Sequence, residues 1–184
     1  VDPVRLELCL DDPLCPVVGD LPQPDQPLSF PDNYPDEAFW WAGNAEFTDG
    51  VTRARLTLAT EAAFTNGAVK RGDQIAFGRI RVKADNLVPG ATYRVTHPYG
   101  VDLVTARDDG LVFATDDSGC LAGPCDWTQV LRAPVGPFLR WDEGAPAGYV
   151  GDGATPHTVV GSPFDTNVFR MERVTDGTGV ALAE

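Results

Sequence analysis

Gln74-Ile-Ala-Phe-Gly-Arg-Ile-Arg-Val82 sets apolar side chains at alternate positions, Ile75 and Phe77 before Gly78, Ile80 and Val82 after it. A period of two marks a strand with one face on a core, whereas a helix needs a period near 3.6. The change of parity at Gly78 predicts a β-bulge. Lys83 follows at the strand's end, and its alternation with Ile80 and Val82 places it in solvent. That argues against an intramolecular isopeptide bond through this lysine.

The same alternation extends outward. Upstream, Val51, Arg53 and Arg55 oppose Thr52, Ala54 and Leu56. Downstream, Tyr93 and Val95 share one face of Ala91–Thr96. Asn86-Leu-Val-Pro-Gly90 between them is a turn, with proline at its second position. Val101–Ala106 and Leu111–Thr115 flank Arg107-Asp-Asp-Gly110, which predicts a hairpin. Val135–Trp141 is apolar but broken by Pro137, and His157–Val160 and Asn167–Val174 read as closing strands. Two segments depart from the pattern. Leu58-Ala-Thr-Glu-Ala-Ala-Phe64 holds helix formers and predicts two helical turns ended at Asn66-Gly67. Trp127–Leu131 predicts a short helix capped by Asp126. Many strands, frequent Asp-Gly and Asn-Gly turns and scant helix specify an all-β sandwich, jelly-roll or immunoglobulin-like, with one or two short helices.

The N-terminus reads differently. Val4, Leu6 and Leu8 alternate with Arg5 and Glu7 as far as Cys9, a half-buried strand. Asp11 to Asp36 then carries Pro13, Pro16, Pro22, Pro24, Pro27, Pro31 and Pro35. Proline withholds a backbone donor, so this segment is neither helix nor central strand. It is an extended strap or a linker. The expected organisation is residues 1–37 as strand and strap, and 38–184 as the sandwich.

Charge narrows the partners. The 184 residues carry a formal charge of −13, which repels phosphate backbones and anionic lipid surfaces. Nucleic-acid binding and membrane insertion are therefore not expected; no apolar run is long enough to span a bilayer. The sequence begins at Val1 and its only methionine is Met171, which reads as a processed mature protein or an excised domain. Four cysteines allow three pairings. Local pairing, Cys9–Cys15 and Cys120–Cys125, is favoured because each pair brackets a proline-containing turn. A four-cysteine zinc site is the rival, but structural zinc prefers tighter C-x2-C knuckles. An acidic, lysine-poor chain with an even cysteine count reads as bacterial and extracellular.

Several constellations could carry chemistry. His97 and His157 could bind a metal or act as a base if the fold joined them; otherwise each bonds a loop backbone. Ser29, Ser118 and Ser162 lie in no nucleophile elbow. Adjacent carboxylates recur at expected turns, and Thr115-Asp-Asp-Ser-Gly119 offers Asp116 and Asp117 as calcium ligands, although it does not match the EF-hand pattern. Phe39-Trp40-Trp41 with Tyr34 could expose an aromatic platform for a sugar ring or a partner; the alternative is that core and strap cover both faces.

The stretches Gly-Asp-Gln-Ile-Ala-Phe at 72–77, Pro-Gly-Ala-Thr-Tyr-Arg-Val-Thr-His-Pro-Tyr-Gly at 89–100, Thr-Asp-Asp-Ser-Gly-Cys at 115–120, Val-Gly-Pro-Phe-Leu-Arg-Trp at 135–141 and Gly-Ser-Pro-Phe-Asp-Thr-Asn-Val-Phe-Arg at 161–170 resemble a group of secreted, mainly actinobacterial proteins. The resemblance covers just over half the chain. It implies secretion and a compact β domain, and it transfers no functional residue. Together these readings point to a secreted, non-enzymatic module that binds a glycan or cell-surface partner. Self-assembly into a filament or surface layer, by strand addition through the termini, is the alternative. A hydrolase using His97 or His157 comes third.

Overall fold

The computed structural model describes residues 8–10, 15, 22–135, 140–141, 159–160, 162, 164, 166–175 and 178–183. His157 and the expected strand residues before Leu8 lie outside them. The elements in chain order are β1 (Ala38–Asp49), β2 (Thr52–Phe64), β3 (Gln74–Asp85), β4 (Thr92–His97), β5 (Gly100–Thr105), β6 (Val112–Cys120), the 3-10 helix η1 (Trp127–Arg132), β7 (Arg140–Trp141), β8 (Val159–Val160), β9 (Arg170–Thr175) and β10 (Thr178–Ala183). One four-stranded sheet runs β1-β2-β3-β6, a second runs β10-β9-β4-β5, and β7 pairs with β8. The fold is an antiparallel all-β sandwich.

Two compact units divide the chain. One holds Gly43–Leu58, Ile80–Asp116 and Gly161–Glu184. In it the inner positions of the first sheet, Leu56, Ile80, Val82 and Val112, are buried, as are Tyr93, Val95, Val104 and Met171 of the second. Phe47 meets Phe169 with ring centroids 5.2 Å apart, one inner face against the other. In the second sheet Val95 lies opposite both Asp102 and Met171. The Val88-Pro-Gly-Ala91 turn closes as expected: Ala91 N–H donates to Val88 O at 3.1 Å, and Gly90 takes a φ of +72° that favours glycine.

The expected hairpin over 101–115 is corrected. The Arg107–Gly110 turn exists, with Gly110 N–H on Arg107 O at 2.9 Å. Its flanking strands part, however, because β5 pairs with β4 in one sheet and β6 with β3 in the other. The turn is a crossover between sheets.

The other unit holds Val1–Ala42, Ala59–Arg79 and Asp117–Val160. Here the expected helix at Leu58–Phe64 is overturned: these residues complete β2. Helix propensity is a weak preference that tertiary packing overrides. Between β1 and β3, Ala59 and Glu61 are as buried as Thr60 and Phe64, so both faces of the strand are covered. The same burial explains the parity change in β3. Ala76, Gly78, Ile80, Val82 and Ala84 keep one face throughout, while Ile75 and Phe77 are buried on the other. Gly78 is needed for close approach, since a Cβ there would lie 2.7 Å from the Ala133 Cβ.

The described part of the strap is anchored through Phe30, Asn33 and Tyr34, while residues 23–29 are exposed. Phe30, Tyr34 and Phe64 form a ring cluster with centroids 5.4 to 6.4 Å apart. Asn33 is buried; its side chain accepts from Gln23 N–H at 2.7 Å and donates to Pro27 O at 3.1 Å. Cys9 N–H donates to Phe39 O at 2.9 Å, adding one bridge beside β1. Both cysteine pairs are disulfides, Cys9–Cys15 with Cα atoms 5.2 Å apart and Cys120–Cys125 with 5.7 Å. Asp126 caps η1 as expected, accepting from Thr128 N–H at 3.1 Å.

Candidate functional site

The inner face of the first sheet is spent on the core, so its outer face is free to carry function. In the sandwich unit that outer face takes alternate residues of four strands. Strand β2 points Arg53 and Arg55 outward, and β3 points Arg81 and Lys83. Strand β6 buries Val112 and turns Phe113 out, where it is 59% exposed. The strands bring these side chains into rows. Glu46 of β1 pairs with Arg55 at 3.1 Å. Lys83 Nζ sits 5.0 Å and Arg81 Cζ 5.5 Å from the Phe113 ring centroid, the geometry of cation–π attraction. Arg81 Nε also donates to Thr115 Oγ1 at 3.0 Å.

A groove of about 470 Å³ lies over this face, lined among others by Phe47, Arg53, Arg55, Lys83, Arg107 and Phe113. Its carboxylates are engaged locally. Glu46 holds Arg55, and Asp85 Oδ1 accepts from the backbone N–H of Arg53 and from Asn86. At the rim Asp109 holds Arg107 at 2.9 Å. Bonds from the Leu111 N–H and Arg107 outweigh the desolvation that would raise the Asp109 carboxyl and keep it below its ordinary range. Arg53, Arg81 and Lys83 make no salt bridge among the described residues.

The residues singled out from sequence are distributed otherwise. Tyr34 and Trp40 come together, lining a cavity of about 90 Å³ with Leu8, Phe64, Ile75 and Trp127. Trp41 does not line it, as alternation along β1 requires. Asp116 and Asp117 sit within β6, so the expected loop there is strand. Asp117 takes Arg79 in a fork, Nε to Oδ1 at 2.7 Å and Nη2 to Oδ2 at 2.9 Å. Arg79 also reaches Glu61 at 3.0 Å; Glu61 is 1% exposed. The Asp117 bond, against the opposing pull of burial, raises the Arg79 pKa further. One cation thus ties β2, β3 and β6 together. Among the described residues no group of three or more His, Cys, Asp or Glu is placed to hold a metal ion.

His97 is 1% exposed and both ring nitrogens are engaged. Nδ1 accepts from Tyr99 N–H at 3.1 Å, so the proton lies on Nε2 and is donated to Asp102 at 3.0 Å. Ser162 gives its hydrogen to Pro98 O at 2.7 Å and accepts from the Phe164 and Thr166 N–H groups. These bonds fasten the His97–Gly100 turn to the 162–166 segment. They do not join Ser162 to His97 as nucleophile and base.

The cationic face was legible as parity, Arg53 with Arg55 and Arg81 with Lys83, but the net charge of −13 concealed it. Comparison with protein-family models, curated proteins and solved structures found no match to this chain.

Proposed function

We propose that this chain is an extracellular, non-enzymatic binding module that holds its ligand on the outer face of the first sheet. The observation that carries the reading is Phe113. A large aromatic ring stands out of a sheet whose core is already filled, flanked by two cations and beside a groove. A ring that is more than half exposed offers stacking area beside its two cations, and side chains fixed on paired strands lose little entropy on binding. Both disulfides support an oxidising compartment, and no helix among the described residues is long and apolar enough to cross a membrane. The engagement of both His97 nitrogens supports a non-catalytic role. The test is binding of the folded protein to a glycan array and to whole cells. Phe113→Ala should abolish the signal while Trp40→Ala and Trp41→Ala retain it; binding that survives Phe113→Ala overturns the site.

One observation favours self-assembly as a second reading. Among the described residues strand β5 is the last strand of its sheet, and its Val101 and Leu103 are 54% and 67% exposed. An apolar edge strand is a template for strand addition. Concentration-dependent oligomers that Leu103→Lys dissolves would support it; a monomer at every concentration would dismiss it.

A further inference from the structure

We infer that the ligand of this face is an acidic polysaccharide, a chain of sugar rings bearing anionic groups at intervals. The inference rests on the proposed binding face and specifies its ligand. Of the 14 lysines and arginines, five meet on this one face: Arg53, Arg55, Arg81, Lys83 and Arg107. Three carboxylates, Glu46, Asp85 and Asp109, accompany them. The rest of the molecule is strongly acidic, so a locally cationic face is a directed feature and selects an anion.

Spacing argues for a polymer. Alternate residues of a strand lie about 7 Å apart and neighbouring strands about 4.8 Å apart. Arg53, Arg81 and Lys83, which make no salt bridge among the described residues, are thus set on two strands at intervals of that order, a row that an extended anion can follow. Beside them stands the exposed Phe113 ring. A pyranose presents that combination: a C–H face for the ring and a charged substituent at its rim. Nucleic acid fits less well. Its charge density is about one per 1.7 Å of duplex, which the −13 chain would repel at longer range.

The test uses affinity electrophoresis and calorimetry of the full chain with polygalacturonate, its methyl ester, dextran sulfate and neutral dextran. Polygalacturonate or dextran sulfate should bind, with affinity that falls as salt rises, and the stronger of the two identifies carboxylate or sulfate as the charge source. Lys83→Ser and Arg53→Ser should each weaken binding about tenfold, with Lys83→Arg restoring it. Phe113→Ala should abolish it at low and high salt alike. Equal binding of the methyl ester or of neutral dextran, lost in Phe113→Ala, overturns the polyanion and leaves the binding face standing. Binding of any probe that Phe113→Ala leaves intact overturns the face itself. Binding of none of the four, or tighter binding of a single-stranded oligonucleotide, overturns the polysaccharide.

Discussion

Replacing Arg79 by methionine tests the ion cluster that ties three strands. The side chain is 14% exposed and bridges Glu61, at 1%, and Asp117, at 26%. Methionine keeps most of the volume and removes the charge. Glu61 is then a buried carboxylate without its cation, and breaking such a pair from one side costs about 3–5 kcal/mol. The guanidinium also lies 5.0 Å from the Phe77 ring, a contact that methionine keeps only as packing. For a chain of this size the expected fall in Tm is about 6–20 °C. Glu61→Gln alone leaves the Arg79–Asp117 fork and should cost about 1–2 kcal/mol. The double variant should recover about 2 kcal/mol of the Arg79→Met loss, because the uncompensated charge is gone. Urea unfolding followed by tryptophan fluorescence, with an unchanged m-value, measures all three. A cost under about 1 kcal/mol for Arg79→Met, or a double variant worse than that single one, refutes the cluster's role.

Four further outcomes are expected. Gly78→Ala should destabilise by about 1–3 kcal/mol, because its Cβ would press on Ala133 and Val135; urea midpoints decide it. Tyr93→Phe removes the acceptor of the Val88 N–H at 3.0 Å and should cost about 1 kcal/mol in the same assay. Bonds from the Thr128 hydroxyl and N–H hold the Asp126 carboxyl below its ordinary range, so the η1 cap persists at neutral pH and is lost as pH falls through that lowered value. The Thr128 amide shift should titrate with a midpoint below about 3.9; a higher midpoint removes the cap. Burial pushes the Tyr99 phenol well up, so its contribution to stability is complete below about pH 10 and declines above it. Ultraviolet titration should show a tyrosine phase that ionises only with unfolding and disappears in Tyr99→Phe.

Legibility followed burial. Where one face meets the core and the other meets water, parity reads correctly, as in Tyr93 and Val95 or Arg53 and Leu56. Where both faces are covered, parity loses its meaning: Ile75 and Phe77 are buried as Ile80 and Val82 are, and Ala59–Ala63 mimics a helix. Local chemistry was equally readable at the Val88–Ala91 turn, the Asp126 cap and the two cysteine loops, since each bond there spans only a few residues. The candidate surface was not. Trp40 and Tyr34 stood out as residue types, yet they meet in a small cavity beside the strap. Phe113 and Lys83 are thirty positions apart and become neighbours only through the β3–β6 pairing.

The sequence by itself determined the strand-rich class, the turns, the local cysteine pairing and the outward parity of the arginines, because these depend on backbone chemistry over a few residues. Tertiary structure alone decided which strands pair, that Asp117 answers Arg79, and that scattered cations meet around Phe113. Strand pairing joins residues remote in the chain, and electrostatic and aromatic contacts act only across the distances that pairing sets.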